Sequence, residues 1–387
     1  FNRRFRLVKE QNKSHLRNRL KTRIIMKLFV VVVNCLIIAT SCVNKIDSNY
    51  VDPYQNDNID WLFESYSITP LETTDDCLIS EISKIKLYND KYYILDGKKA
   101  ILVFDKDGMF LGKVSHVGRG HGEYIEISSF DVHQDNIYVL SRSSQSINIY
   151  SENGTFMNKI ELNDYYCDMI TTDHSIVLSS NYSNNTLKNF VEISYDGRVL
   201  KEWDDFKVNI SYSSGNNSFC HTDDGFFYFK PFDHTIYKYT NSEHSIFAHY
   251  SFKSKEKYSL SNTKDIMYMA ENTKNKEYVR CFESVGLIDS TLLILYPMYL
   301  EEYGICNFLL IDKLDDNSIY NYCISTEGIP SAPFVGQNLI ISNNMLVGTM
   351  PAFVAKDIAS HTGLTNPEIQ NLNETDNPII ICHHLSL

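Results

Sequence analysis

Residues 92–114, YYILDGKKAILVFDKDGMFLGKV, are echoed 45 positions later by residues 137–160, IYVLSRSSQSINIYSENGTFMNKI. A repeat at this pitch constrains the fold more than any other feature, because each copy has an apolar face that only its neighbours can bury. The unit is a short meander. KYYILD (91–96) runs into AILVFD (100–105), DKDG turns the chain, and MFLGKV (109–114) returns. Similar segments begin at NIYVLS (136–141), SIVLSS (175–180), GFFYFK (225–230), TLLILY (291–296) and NLIISN (338–343), so six starts recur at roughly 40 to 65 residues. That pitch is one four-stranded propeller blade, with insertions in two of them. Asp107–Gly108, Asn153–Gly154 and Asp196–Gly197 fall where a strand pair must reverse. The prediction is an all-β fold, a six-bladed β-propeller of four-stranded antiparallel blades. A β-sandwich with similar hairpins has no reason to repeat at blade length.

A ring of sheets must also close, since an open last blade would expose an edge. FESYSITPL (63–71) precedes the first full repeat and has no blade of its own. It is expected to supply the outer strand of the last blade, alongside NPIIICHHL (377–385). AFVAKDIASHTGLTNPEIQNL (352–372) is helix-compatible and reads as a small insertion packed at the closure. Aromatics at 13%, with 26 Tyr and 21 Phe, suit β-rich packing, and the modest 16 Gly and 9 Pro exclude fibrous and low-complexity classes.

Charge divides the chain. Residues 1–41 carry ten Lys or Arg against Glu10, which leaves the rest near −21 within a net charge of −12. An acidic body repels phosphate backbones, so nucleic acid is not an expected partner. MKLFVVVVNCLIIATSC (26–42) has a basic start, an apolar run from Leu28 to Ala39 and small residues before a cysteine. The apolar run is shorter than the roughly 20 residues a membrane-spanning helix needs, and its layout is that of a secretory signal. Ala39-Thr40-Ser41-Cys42 resembles a bacterial lipobox, with Ala39 where Leu is usual. The resemblance implies cleavage before Cys42 and acylation of its thiol. Residues 1–25 read as sequence upstream of a start at Met26, or as disordered; 26–41 as the signal peptide; 42–60, polar with one proline, as a flexible tether; and 61–387 as the propeller. Val43 stands where an aspartate would favour inner-membrane retention, so the expected address is the outer membrane, with the leaflet open. Seven cysteines remain beyond Cys42 at irregular spacing, which gives no disulfide framework.

ISKIKLYNDKYYILDGKKAILVFDKDGMFLGKV (82–114), GRGHGEYIEISSFDV (118–132) and NETDNPIIICHHL (373–385) resemble the six-bladed β-propeller lipoproteins of Bacteroidota, whose repeats are NHL-like in style. The likeness covers most of residues 61–387. In that family the loop runs Gly-x-Gly-Pro-Gly-Glu-Tyr, and His121 stands here in place of the proline. The resemblance implies an exported, lipid-anchored propeller and assigns no chemistry.

GRGHGEY is the most distinctive local signal. Gly118, Gly120 and Gly122 allow a concave loop of backbone amides that could receive an anion or a carbonyl. Arg119, His121, Glu123 and Tyr124 are the candidate ligand-binding residues, set against a purely connecting role in which Glu123 and Tyr124 satisfy nearby backbone. A dinucleotide site is excluded, because YIEISSFDV continues as strand rather than helix. His383 and His384 are adjacent in a strand and point to opposite faces, and Asp105 and Asp107 lack the later oxygen ligands of a calcium loop. No metal-ligand spacing and no hydrolase nucleophile motif appears, so no catalytic or metal residue is assigned. The tyrosines and phenylalanines fall at alternating strand positions and suit inter-blade packing better than sugar stacking.

These features predict a non-catalytic binding or scaffold module, without cofactor, held on an envelope membrane by lipid. It would present one face to a small molecule, a glycan or an envelope protein, as a monomer. The alternative is a metal-dependent propeller hydrolase, lactonase or esterase-like, with Ca²⁺ or a similar hard cation held at the central channel.

Overall fold

The computed structural model describes residues 49–207, 209, 217–253, 265–326, 329–330, 337–362 and 366–387. Before the first full repeat come β1 (Asn49–Val51) and β2 (Phe63–Pro70). Blade 1 is β3 (Ile82–Tyr88), β4 (Lys91–Asp96), β5 (Ala100–Asp105) and β6 (Phe110–Val114). Blade 2 is β7 (Ser129–His133), β8 (Asn136–Ser141), β9 (Ser146–Ser151) and β10 (Phe156–Glu161). Blade 3 is β11 (Asp168–Thr171), β12 (Ile176–Ser179), β13 (Lys188–Ile193) and β14 (Val199–Asp205). Blade 4 is β15 (Phe219–Thr222), β16 (Gly225–Lys230), β17 (Asp233–Thr240) and β18 (Glu243–Phe252), followed in the chain by helix α1 (Asp265–Asn272). Blade 5 is β19 (Ser284–Ile288), β20 (Thr291–Leu300), β21 (Gly304–Lys313) and β22 (Ser318–Thr326), with β23 (Ile329–Pro330) on its edge. Blade 6 is β24 (Gln337–Ser342), β25 (Met345–Met350), β26 (Ile379–Leu385) and the early strand β2.

Turn chemistry sets each hairpin. A two-residue turn that matches the twist of its strands needs φ > 0 at both positions. Asn89–Asp90, Gln134–Asp135 and Asn343–Asn344, which join the first and second strands of blades 1, 2 and 6, have φ between 48° and 59°. The three predicted Gly turns join third to fourth strands in blades 1 to 3 with φ of 81° to 84°.

The first strands β3, β7, β11, β15, β19 and β24 touch one another in that order around the ring. Strand residues then alternate between the two neighbouring blades. Tyr93 and Leu95 pack toward blade 2 with Phe130 and Val139, whereas Tyr92 and Ile94 pack toward blade 6 with Val347 and Ile380. Six apolar clusters fill the six blade interfaces in this way. This explains why KYYILD and GFFYFK are apolar on both faces.

Closure follows the prediction. β2 pairs antiparallel with β26, Ser67 opposite Cys382, and forms the outer strand of blade 6. Buried Asn377 ties the linker that follows: its amide donates to the carbonyls of Glu72 (2.6 Å) and Cys77 (2.9 Å) and its oxygen accepts from the Ile79 amide (2.9 Å). The helical insertion is α2 (Ala352–Thr362) and α3 (Pro367–Gln370), placed between β25 and β26 and packed on blade 6 through Ala355 and Ile369.

Two expectations are corrected. The sixth repeat is out by one strand, because NLIISN forms the first strand of its blade and MLVGTM (345–350) the second. The four-stranded blades are as expected, and two of them carry an added edge strand, β1 on blade 4 and β23 on blade 5. Residues 49–60 of the expected tether are docked rather than loose. β1 adds in parallel to β18 of blade 4, with Asn49 opposite Tyr250. Its Asn49 amide reaches the buried Asp312 carboxyl (2.9 Å), and the chain then crosses the outer strand of blade 5. There Asn321, 3% exposed, donates its amide to the Pro53 (3.3 Å) and Gln55 (3.0 Å) carbonyls and accepts from the Tyr296 hydroxyl (2.6 Å). Short polar sequence reads as tether, yet its backbone satisfies the edges of two blades. Residues 42–48, with Cys42, lie outside the described residues.

The two faces of the ring differ. Turns joining first to second and third to fourth strands run from two to five residues on one face. Every longer connection lies on the other face, where second strands pass to third and one blade passes to the next.

Candidate functional site

Polar residues of the innermost strands meet where the blades converge. Lys84 of β3 donates to Ser129 of β7 (2.8 Å) and to Asp168 of β11 (2.9 Å), and Ser129 donates to the same carboxylate (2.5 Å). The other oxygen of Asp168 accepts from the Ser218 amide (2.6 Å) at the entry to blade 4. One layer along the axis, Asp131 of β7 is paired with Lys86 and accepts from the Thr171 amide (2.7 Å) and hydroxyl (2.9 Å), with His221 of β15 at 3.2 Å. Both aspartates are 1% exposed. Contacts from blade 1 to blade 3 and from blade 2 to blade 4 skip a blade, so these side chains span the channel. Burial pushes the Lys84 ammonium below its ordinary value against the pull of Asp168. At Asp131 burial works the other way, and Lys86 and His221 outweigh it, holding the carboxyl well below the usual range. Each carboxylate is already matched by an ammonium group. Among the described residues no three His, Cys, Asp or Glu side chains converge as metal ligands. This donor set does not fit the hard cation of the hydrolase reading, which would need several free oxygens.

The GRGHGEY loop joins β6 to β7 on the face of long connections. Its amides are turned on the loop itself. The Glu123 carboxylate folds back to accept from the Gly120 amide (2.6 Å), and the Gly118 amide donates to the Tyr124 carbonyl (2.9 Å). A Cβ at Gly118 would lie 2.0 Å from the Glu123 carboxylate, and one at Gly120 3.0 Å from it, so a side chain at either position would push that carboxylate aside. Tyr124 is fully buried between blades 1 and 2, and its hydroxyl donates to the Lys99 carbonyl (2.8 Å) and accepts from the His116 amide (3.1 Å). His121 is exposed and packs edge-on against Phe156 with ring centroids 4.8 Å apart; Arg119 is exposed at the tip. The structure thus groups Glu123 and Tyr124 with the backbone and leaves Arg119 and His121 to solvent.

A pocket on the same face opens where blades 3, 4 and 5 meet. Asn181 of blade 3, Asn217, Ser218 and Lys230 of blade 4, and Cys281 and Glu283 on the approach to blade 5 supply its polar lining, and Phe229, Pro231 and Phe282 the rest. Its cavity volume is about 30 Å³, room for a small head group. Lys230 is engaged by Asp204 (2.5 Å) and Asp233 (3.5 Å). Among the described residues neither the Glu283 carboxyl nor the Asn217 amide has a side-chain partner. Burial alone pushes the Glu283 carboxyl up. Burial, with Glu283 beside it, pushes the Cys281 thiol up to about 12.

None of the channel or pocket residues was singled out from sequence. The repeat did carry part of the signal: a polar residue stands seven positions before the second strand in blades 1, 2, 4, 5 and 6, at Lys84, Ser129, Ser218, Ser284 and Asn338. Glu283 and Asn217 carry no such mark, because only ring closure brings their connections together.

A family model spanning residues 43–384 matches the chain, described as a domain of unknown function, DUF4934. The chain belongs to the DUF4934 family. Among solved structures, this DUF4934 protein is similar to a Bacteroides fragilis protein provisionally described as exported, with a TM-score of 0.68 and 20% identity over 88% of this chain and 99% of that one. It is also similar to a member of the DUF4221 family from Bacteroides vulgatus, with a TM-score of 0.50 and 11% identity over 84% and 97% of the two chains. At these identities the likeness is one of fold. No curated protein matches the DUF4934 chain.

Proposed function

We propose that this DUF4934 propeller is an exported, lipid-anchored binding or scaffold module of the cell envelope. It acts without catalysis and takes a ligand or a partner protein on its long-connection face. The observation that carries this reading is the contrast between channel and face. At the channel, Lys84 and Lys86 neutralise the buried carboxylates that a hydrolase would need for a metal. On the face, the long connections gather around a pocket whose Glu283 carboxyl has no side-chain partner among the described residues. The lipobox-like segment ending at Cys42 and the exported description of the Bacteroides fragilis relative support the address, and Val43 favours the outer membrane. The protein is taken as a monomer with NHL-like blades, and the loop residues Arg119 and His121 remain candidates for ligand contact beside the pocket.

Two measurements test the reading. Cells fed labelled palmitate should incorporate label into the protein but not into its Cys42→Ala variant. The purified protein, assayed with Ca²⁺, Mg²⁺, Mn²⁺ and Zn²⁺ on a panel of lactones and carboxyl esters, should give no turnover above buffer. Metal-dependent turnover would establish the hydrolase instead.

A further inference from the structure

Among the described residues, Glu283 is the carboxyl on the long-connection face whose surroundings fit ligand binding better than architecture. Other buried acids have evident structural partners: Asp164 accepts from the Asn185 and Thr186 amides (2.8 to 2.9 Å), and Glu192 accepts from Ser175 (2.6 Å) and Tyr239 (2.5 Å). Glu283 lines the pocket with no such partner, and an uncompensated carboxyl in a half-buried place costs stability that architecture alone does not repay. What the pocket would accept follows from charge and size. An anion meets Glu283, and the nearby Lys230 is already over-neutralised by Asp204 and Asp233. A divalent cation finds a single carboxyl, where Ca²⁺ takes about six to eight oxygens. About 30 Å³ does not enclose a whole sugar or nucleobase ring, whereas one small tetrahedral head group can enter with the rest of its molecule outside.

We propose that this pocket binds the primary ammonium group of a ligand, with the Glu283 carboxylate as counter-ion and the Ser218 hydroxyl and Asn217 amide oxygen as further acceptors. An ammonium group has three donors and no acceptor, which complements the Glu283 carboxylate and the Asn217 amide oxygen. Phe229 and Phe282 supply apolar lining beside the polar groups, which suits the carbon that carries the nitrogen. The position of Glu283 above its ordinary pKa has the same origin, since the missing positive charge would draw it down. The proposal deepens the binding-module reading and rests on it.

The test uses the intact protein with methylammonium chloride, and tetramethylammonium chloride at equal ionic strength as the bulky control. Methylammonium should raise the melting temperature saturably, lower the titration midpoint of the Glu283 carboxyl followed by ¹³C NMR, and lose at least tenfold in affinity in Glu283→Gln. Asn217→Ala, a milder change on a partly exposed side chain, should weaken binding severalfold. No saturable effect, or equal effects with tetramethylammonium or in Glu283→Gln, would overturn the site. Nα-acetyl-lysine methylamide and glucosamine then separate the two sources of such a group, a peptide side chain and an amino sugar, by which one binds more tightly than methylammonium. The two readings fail separately. Ester or lactone turnover removes the binding-module function whatever methylammonium does, and an absent methylammonium effect removes the ammonium site alone.

Discussion

At the scale of single residues, GRGHGEY shows how a loop that looks made for a ligand can be filled by its own side chain. The added Cβ of Gly118→Ala would meet the Glu123 carboxylate at 2.0 Å and expel it from the Gly120 amide. The loss of that charge-assisted bond should cost about 1–3 kcal/mol in urea unfolding. In a Glu123→Ala background the same substitution should cost little, and equal costs in both would show that the carboxylate does not hold the loop. Asp131 gives an acid-side test. Its folded pKa is held below the unfolded one, so its contribution is complete above about pH 4 and is lost as pH falls through the folded value. Asp131→Asn should therefore be destabilised near neutrality by roughly 3 kcal/mol and converge on the parent under acid. Glu283 has the opposite sign. Its carboxyl titrates above the unfolded value, so the parent should lose stability relative to Glu283→Gln as pH rises from about 4. The loop was legible in sequence because three glycines in five residues are unusual. Glu283 was not, because an acid before a strand looks the same whether its neighbours are lysines or nothing.

Elements were legible where period and turn agreed. KYYILD, NIYVLS and GFFYFK each form the second strand of a blade, as their shared pattern implies. NLIISN failed because first and second strands of a blade are both short and apolar, and Asn343–Asn344 between them looks like an ending as much as a turn. β1 failed for another reason. Three residues carry no period, and what holds them is backbone pairing to β18 and the reach of Asn49 to Asp312, partners more than 200 residues away. The strap predicts its own weak point. Asn321→Ala removes the donor to Pro53 and Gln55 and the acceptor for Tyr296, and should cost about 2–3 kcal/mol. Limited proteolysis should then cut between residues 52 and 60 in the variant and spare the parent.

For the molecule as a whole, closure by β2 and β26 makes cooperativity depend on both extremities. Ser67 and Cys382 pair across nearly the whole chain, so removing residues 379–387 unseats β26 and leaves β2 without a partner. The truncated protein should lose its single thermal transition in calorimetry, and a sharp transition at the parental temperature would mean that the ring closes some other way. The global architecture was readable early because a blade cannot stand alone and six similar units leave few arrangements. The distribution of connection lengths, invisible until the strands were placed, bears on what can be changed. Two-residue hairpins such as Asn89–Asp90 are dictated by strand twist and tolerate few substitutions, whereas exposed tips on the long-connection face, such as Arg119 and Glu302, carry side chains that the blades do not bury. Diversified libraries confined to that permissive side should therefore yield new specificities on an unaltered scaffold, and randomising the opposite rim should mostly yield aggregates.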